Sequence, residues 1–207
     1  MNIDAIKKYK IISIIRGYDT KDTLEIVEQL YKAGIRLVEV TLNSPNALES
    51  IKSLNEIYNG EMFIGAGTVL NADCCQKAIN IGAKFIVSPD TNLEVISCTK
   101  KNNIISIPGA LTPSEITYAV NAGADIVKVF PISEMGPAYI KDIRAPLDKI
   151  DLLPTGGIDE TNIKQYIDMN SIGVGVSSAI VKSGLEINEE SLNEIKVKAE
   201  NLIKKIK

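Results

Sequence analysis

The sequence contains no histidine and only three cysteines, two of which, Cys74 and Cys75, are adjacent. Without histidine, Ser-His-Asp and Cys-His catalytic arrangements are excluded, and so are the histidine ligand sets of most zinc enzymes and metal-dependent barrels. Acid–base chemistry must therefore depend on carboxylate, lysine, tyrosine or water. An odd number of cysteines with an adjacent pair is poorly suited to a disulfide framework, which favours a reducing cytoplasm.

The sequence also lacks a strong excess of charge and any long apolar run. Its net charge is −3, so no basic surface indicates nucleic-acid binding. No uninterrupted apolar stretch approaches the roughly 20 residues that cross a bilayer, so no membrane association is expected. The segment MNIDAIKKYK mixes acidic and basic side chains and differs from a signal peptide. We therefore expect a globular, cytoplasmic protein with a substantial core.

Short apolar segments alternate with helical patterns along the whole chain. Eight candidate strands cover residues 10–16, 36–42, 62–68, 84–89, 103–109, 125–131, 150–157 and 171–177. Helix N-caps are predicted at Thr20, Asn71, Thr112 and Asp159. Glycines that end helices are predicted at Gly34, Gly82 and Gly123. The alternation predicts an α/β fold, namely a single (β/α)8 TIM barrel over residues 1–207 with a short N-terminal helix.

A doubly wound parallel sheet is the alternative fold. Two G-x-G segments bear on it, GAGTVL at 65–70 and GVGVSS at 173–178. Both lack the third glycine of the dinucleotide-binding fingerprint, and neither opens a first βα unit. The barrel is therefore the favoured prediction.

Lys128 lies in the middle of DIVKVFP, a segment that is otherwise typical of a buried strand. Alternation along the strand predicts that Ile126, Lys128 and Phe130 share one face. An isolated ammonium group is costly to bury, and desolvation favours the neutral amine, which can attack a ketone and form a Schiff base. The alternative is a half-exposed strand lysine whose amine reaches solvent.

Glu39 and Arg16 occupy similar positions in other strands. Glu39 in RLVEVTL is either part of an ion pair with Lys128 or Arg16, or a general base for a proton alpha to an iminium. Arg16, at the end of the first strand, is either a surface residue or a guanidinium clamp for a carboxylate or phosphate. Because the C-terminal ends of barrel strands form the active site, we expect these side chains to converge.

Two glycine-rich segments, PTGGI at 154–158 and GVGVSSA at 173–179, end the seventh and eighth strands. Loops at these places in barrels often bind phosphate through backbone N–H groups and a helix N-terminus. The alternative is that the glycines only permit turns, but their occurrence at both places favours a phosphate site. Thr68, after the third strand, is either a turn or N-cap residue or a contact for a substrate hydroxyl or carboxylate.

Six segments, in this order and spacing, resemble the 2-keto-3-deoxy-6-phosphogluconate (KDPG) aldolase family. They are EVTLNSP, GAGTVL, SPD, IPGALTP, VKVFP and PTGGI, and the resemblance extends over essentially the whole chain. It implies a class I aldolase on a (β/α)8 barrel that uses no metal or other cofactor and forms a homotrimer. Its small-molecule partner would be a keto-acid phosphate.

The resemblance also implies roles for individual residues. Lys128 matches the Schiff-base lysine of the family's K-x-F-P motif, and Glu39 matches the proton-shuttling glutamate of its E-V/I-x-L motif. Thr68 and Pro89 match positions that line the pyruvyl part of the site. The full set of implied substrate-binding residues is Arg16, Thr68, Pro89, Phe130, Thr155, Gly156, Gly157, Gly175 and Ser177, with the glycines and Ser177 near the phosphate.

Asn43 departs from one branch of that family. Members that act on phosphogluconate often have E-V-T-L-R-T, whose arginine binds the keto-acid carboxylate, whereas this chain has Asn43 there. Its LNSP segment and Arg16 look more like the 2-keto-3-deoxy-6-phosphogalactonate (KDPGal) branch. We therefore expect cleavage of KDPG or KDPGal to pyruvate and glyceraldehyde 3-phosphate. The alternatives are a 4-hydroxy-2-oxoglutarate aldolase and a non-catalytic barrel that binds sugar phosphate.

Overall fold

The computed structural model describes residues 3–207. The helices in this range are α1 (Ile3–Tyr9), α2 (Thr20–Ala33), α3 (Ala47–Ile57), α4 (Ala72–Asn80), α5 (Leu93–Lys101), α6 (Pro113–Asn121), α7 (Gly136–Arg144), α8 (Ile163–Asp168) and α9 (Glu189–Ile206). The strands are β1 (Ile11–Ile15), β2 (Leu37–Thr41), β3 (Phe63–Gly67), β4 (Phe85–Val87), β5 (Ile105–Ile107), β6 (Gly109–Ala110), β7 (Val127–Val129), β8 (Leu152–Pro154) and β9 (Val174–Val176). No helix in residues 3–207 is long and apolar enough to cross a membrane.

The strands form two parallel sheets, and neighbours along the chain are neighbours in space. One sheet has the order β5-β4-β3-β2-β1-β9 and the other has the order β6-β7-β8. The order never reverses, and the first strand pairs with the last, which excludes the doubly wound alternative. A single bridge between Thr155 and Gly175 links the end of β8 to β9. The predicted α/β class with parallel strands is thus confirmed.

Each predicted strand range contains a strand, but the fifth range is divided between β5 and β6 by Pro108. Proline has no backbone N–H to donate to a ladder. The Gly109 N–H donates to the Asp90 carbonyl, and the Pro108 carbonyl accepts from the Lys128 N–H at 2.9 Å. The chain therefore changes partner at this point, from β4 to β7.

The three predicted helix-ending glycines share one backbone motif. Gly34, Gly82 and Gly123 have φ values of 103°, 97° and 104°. After Gly34, for example, the Ile35 N–H donates to the Leu30 carbonyl at 2.9 Å, and equivalent bonds follow the other two glycines. These are Schellman motifs, in which a left-handed residue lets the last turn satisfy its carbonyls. The prediction is confirmed at all three positions.

Two of the four predicted N-caps are confirmed. Asn71 and Thr112 cap α4 and α6 through their side chains. Asp19, one residue before the predicted Thr20, caps α2, because its carboxylate can accept a backbone N–H of the first turn. The prediction at Asp159 is wrong. Its carboxylate accepts hydrogen bonds from Thr161 in the loop, and the helix begins only at Ile163.

Two buried apolar clusters lie on opposite faces of the strands. The larger one fills the space between strands and helices. The smaller one lies on the other strand face and consists of Ile6, Ile12, Leu37, Phe85, Val87, Ile105, Ile107, Ile126, Leu153 and Ile172. Ile6 belongs to α1, and Ile3 and Tyr9 of the same helix pack against this cluster. The short N-terminal helix therefore covers the N-terminal ends of the strands, and the opposite end remains open.

Candidate active site

A cavity of about 410 Å³ lies at the C-terminal ends of the strands. Its walls contain ten of the eleven predicted site residues, namely Arg16, Thr68, Pro89, Lys128, Phe130, Thr155, Gly156, Gly157, Gly175 and Ser177. They come from the ends of β1, β3, β4, β7, β8 and β9. The eleventh, Glu39, is not among the lining residues and is buried in β2. The convergence expected for polar residues at the strand ends is therefore largely observed.

Lys128 lies in β7 and lines this cavity. Its neighbours Val127 and Val129 belong to the larger core cluster on the other face of the strand. Lys128 is only 5% exposed, which excludes a lysine whose amine extends freely into solvent. Its Nζ lies 4.9 Å from the centroid of the Phe130 ring, a cation–π distance. Within residues 3–207, Lys128 forms no ion pair with a carboxylate.

Glu39 is 2% exposed and lies close to the end of β3. A Cβ atom placed on Gly67 would overlap its carboxylate, so the side chain occupies space that only glycine leaves free. Its Oε1 is buried and has no hydrogen-bond partner among residues 3–207. A buried acceptor without a partner is costly. The geometry does not support the structural ion pair with Lys128 or Arg16, and it leaves one carboxylate oxygen available.

Arg16 follows β1 and is held by the segment after β2. Its Nη1 donates to Oδ1 of Asn43 at 3.3 Å. The N–H of Gly17 donates to Oγ of Ser44 at 2.8 Å, and that hydroxyl lies 3.0 Å from Oγ1 of Thr41. The LNSP segment thus orients the arginine and the backbone that follows it. A guanidinium group fixed in this way at a cavity wall suits a carboxylate or phosphate ligand.

Thr68 and Pro89 form the part of the wall after β3 and β4. Thr68 has φ of 55°, a left-handed conformation that is strained for a β-branched residue. Asn71, not Thr68, caps α4, so the N-cap alternative for Thr68 is wrong. A Cβ on Gly109 would overlap the Pro89 carbonyl, so β6 packs directly against that backbone. Strain at a residue lining a cavity is typical of a functional position.

The glycine turns form the opposite wall. Gly156 and Gly157 have φ values of 106° and 67°, which other residues rarely adopt. The turn packs on the segment after β7, where the Ile132 N–H donates to the Thr155 carbonyl at 3.1 Å. Gly175 lets β9 approach Thr155, because a Cβ there would lie 2.5 Å from Oγ1 of Thr155. This wall is therefore largely bare backbone, which suits contact with an anion.

Three residues that line the cavity were not predicted from the sequence, namely Ile14, Ile158 and Ser178. Strand alternation was a sufficient signal for Ile14, which shares a face with Arg16. Ser178 adjoins Ser177 at the end of β9. The lining contains two cationic side chains and four hydroxyls but no acidic side chain. Such a cavity favours an anionic ligand.

The chain is similar to known proteins both in sequence and in structure. A family model described as "KDPG and KHG aldolase" matches residues 3–197. The 2-dehydro-3-deoxy-6-phosphogalactonate aldolase of Escherichia coli K12 is 34% identical over 181 residues, which cover 87% of this chain and 88% of that protein.

Two solved structures are similar over nearly the whole chain. A native KDPGal structure superposes with a TM-score of 0.88 at 32% identity, covering 94% of this chain and 93% of the other. The KDPG aldolase of Legionella pneumophila superposes with a TM-score of 0.85 at 28% identity, covering 99% and 98%. In that structure, pyruvate was captured at low pH as a covalent carbinolamine intermediate.

Proposed function

The chain belongs to the KDPG and KHG aldolase family, and on that premise we propose that it is a class I aldolase. Its substrate is KDPG or KDPGal, which it cleaves to pyruvate and glyceraldehyde 3-phosphate. The proposal rests on one observation above all. A lysine that is 5% exposed lines a cavity with an arginine on one wall and glycine turns on another. In one such substrate molecule, the lysine amine suits the ketone, the arginine suits the carboxylate, and the bare backbone of the glycine turns suits the phosphate.

In the proposed mechanism, the neutral amine of Lys128 attacks the C2 ketone and water leaves, which gives an iminium ion. The iminium accepts the electron pair of the C3–C4 bond while Glu39, directly or through water, takes the proton of the C4 hydroxyl. Glyceraldehyde 3-phosphate leaves, and the enamine of pyruvate remains on the lysine. Glu39 returns a proton to C3, and water hydrolyses the iminium to release pyruvate. One carboxylate thus acts as base and then as acid.

The remaining site residues are proposed to hold the two ends of the substrate. Arg16 and Thr68 bind the carboxylate, and Pro89 and Phe130 pack against the pyruvyl part. The phosphate is bound by the wall that comprises Thr155, Gly156, Gly157, Gly175 and Ser177. Binding at both ends places C2 near Lys128, and such positioning contributes much of the rate of an enzymatic reaction.

We further propose that the two sheets are parts of one closed (β/α)8 barrel, with β5 and β6 together forming the fifth strand. Three observations support closure. One residue separates β5 from β6, the Thr155–Gly175 bridge joins β8 to β9, and the Ile172 N–H donates to the Leu152 carbonyl at 3.1 Å. A barrel interior filled by side chains also fits the smaller apolar cluster.

We also propose a single domain over residues 1–207, a homotrimer and a cytoplasmic location. Exposed apolar side chains such as Leu70, Leu93 and Tyr118 offer surface that a subunit interface would cover. The three cysteines are free thiols, which suits a reducing compartment. Light scattering coupled to gel filtration tests the trimer, because a monomeric mass at micromolar concentration would contradict it.

Steady-state cleavage of three substrates tests the proposed function. We expect measurable kcat/KM for KDPG, KDPGal or both, and a lower value for 4-hydroxy-2-oxoglutarate, which has no phosphate. The Arg16–Asn43 hydrogen bond favours the KDPGal branch. A higher kcat/KM for 4-hydroxy-2-oxoglutarate would contradict the assigned substrate class. Sugar-phosphate binding without cleavage would identify a non-catalytic barrel.

The substitution Arg16→Gln should raise the KM for the keto acid about tenfold to a hundredfold, because hydrogen bonds to a charged group contribute about 1.5–3 kcal/mol. The kcat should change less than KM, since Lys128 and Glu39 remain. Steady-state kinetics of cleavage measures both constants. Arg36→Gln is the matched control, because Arg36 precedes β2 at the other end of the strands and contacts Tyr31. Equal KM values for the two variants would contradict the role of Arg16.

The substitution Gly67→Ala should lower kcat by about 10²-fold or more, because the new methyl group overlaps the Glu39 carboxylate and displaces a general acid–base group. Gly65→Ala is the control on the same strand, where the methyl group overlaps the Phe85 ring instead. Both variants are overpacked and should lose about 1–3 kcal/mol of stability. Thermal melting and kcat are measured together. A Gly67→Ala protein with full kcat would show that the placement of Glu39 is unimportant.

A further inference from the structure

Tyr18 lies two residues after Arg16 and is 4% exposed. Its hydroxyl donates to the Lys182 carbonyl and accepts a hydrogen bond from the Leu185 N–H at 3.1 Å. Burial raises the pKa of Tyr18, so the hydroxyl keeps its proton and can donate at neutral pH. Tyr18 therefore links the segment after β1 to a segment that follows β9.

The segment bonded by Tyr18 continues directly from the cavity wall. Ser177 and Ser178 line the cavity, and the Val181 N–H donates to the Ser177 carbonyl at 2.9 Å. Lys182 is the next residue, and its carbonyl accepts from Tyr18. The segment from Ser177 to Leu185 is thus a series of turns with serine at one end and the tyrosine contacts at the other.

Few other polar contacts hold this segment. In the described part of the chain, the hydrogen bonds of residues 178–187 go to Ser177, to one another, or to the hydroxyl of Tyr18. The backbone also packs closely at Gly17, where a Cβ would lie 2.9 Å from Oγ of Ser183. Beyond Ser177, this segment is therefore held by one hydroxyl group and by the core packing of Ile180 and Val181.

We propose that Tyr18 is a positioning residue for phosphate binding, because it holds the Ser177–Leu185 segment in the place where the two serines contact the phosphate. The inference rests on the proposed function for the identity of the phosphate wall. Tyr18 acts through the serines and does not contact the reacting atoms. Its loss should weaken phosphate recognition and leave Schiff-base chemistry at Lys128 intact.

The test compares Tyr18→Phe with the unmodified protein in calorimetric titrations of inorganic phosphate, glyceraldehyde 3-phosphate and glyceraldehyde. We expect affinity for the two phosphates to fall about three- to tenfold, the value for loss of an ordinary hydrogen bond. Deuterium exchange at C3 of pyruvate, which needs no phosphate, should keep its rate and its KM. In cleavage, KM for the phosphorylated substrate should rise while kcat stays nearly constant.

Tyr31→Phe is the matched control, because it removes a tyrosine hydroxyl bonded to Glu61 at the other end of α2. It should leave all of these constants unchanged, and thermal melting reports the stability of both variants. Unchanged phosphate affinity in Tyr18→Phe would overturn the inference, as would equal losses for phosphate and for pyruvate exchange. An unmodified protein that binds no phosphate would overturn it too. If the unmodified protein binds phosphate but cleaves no substrate, the proposed function alone fails, and the phosphate titration still decides the role of Tyr18.

Discussion

Replacement of Lys128 by arginine should abolish aldol cleavage, with a fall in kcat on the order of 10⁴-fold or more. Arginine has a side chain of similar length but cannot lose its proton at neutral pH, so it forms no iminium ion with a ketone. Two measurements check the expectation. Steady-state cleavage gives kcat, and incubation with pyruvate and borohydride followed by peptide mass mapping identifies the lysine that carries the reduced adduct.

A second lysine provides the control for that experiment. Lys100 is partly buried, and its Nζ lies 2.5 Å from Oδ1 of Asp125, before the start of β7. Lys100→Arg keeps this ion pair and should retain both cleavage and the trapped adduct. An adduct on a lysine other than Lys128, or cleavage retained in Lys128→Arg, would refute the mechanism.

Glu39→Gln should lower kcat by about 10²–10⁴-fold, the usual contribution of a general acid or base. Glutamine has nearly the same shape, so it fits the space above Gly67 but cannot take a proton from the C4 hydroxyl. The trapped pyruvate adduct should still form, because Lys128 remains. Loss of cleavage together with retention of the adduct separates the proton-transfer role from a general effect on folding.

Deuterium exchange at C3 of pyruvate measures proton transfer by Glu39 separately from cleavage of the C3–C4 bond. In the mechanism, Glu39 moves the proton between C3 and solvent, so exchange should fall together with kcat. Glu115→Gln, in the capping box of α6, is the control that should preserve both rates. If Glu39→Gln exchanged deuterium as fast as the wild-type protein, another group would have to transfer the proton.

Much of the site could be predicted because local pattern determines it. Lys128 alternates with valines that pack against helices, so its face of the strand follows from the period of two. The glycine turns follow from the need for positive φ at Gly156 and Gly157. The chemical role of Lys128 could not be predicted in this way, since alternation alone also allowed a structural lysine. Burial made a Schiff base one of two interpretations, and the family resemblance was needed to choose it and to name the substrate class.

Other features depend on contacts between distant parts of the chain, which no local pattern contains. The depth of Glu39 depends on the space above Gly67 in the neighbouring strand. The change of partner between β5 and β6 depends on the Asp90 carbonyl, which receives the Gly109 N–H. Tyr18 was not predicted as a site residue because its partners are 164 and 167 residues away in the chain.

The N-terminal helix determines how molecules enter and leave. Ile6 of α1 belongs to the smaller apolar cluster, so within residues 3–207 that cluster and the helix block the end of the strands opposite the cavity. Substrate and both products must use the same opening. In the proposed mechanism, the aldehyde is free once the C3–C4 bond breaks, whereas the three-carbon fragment is still covalently attached to Lys128. Departure is therefore ordered, aldehyde before pyruvate, and in the synthetic direction pyruvate must bind before its aldehyde acceptor.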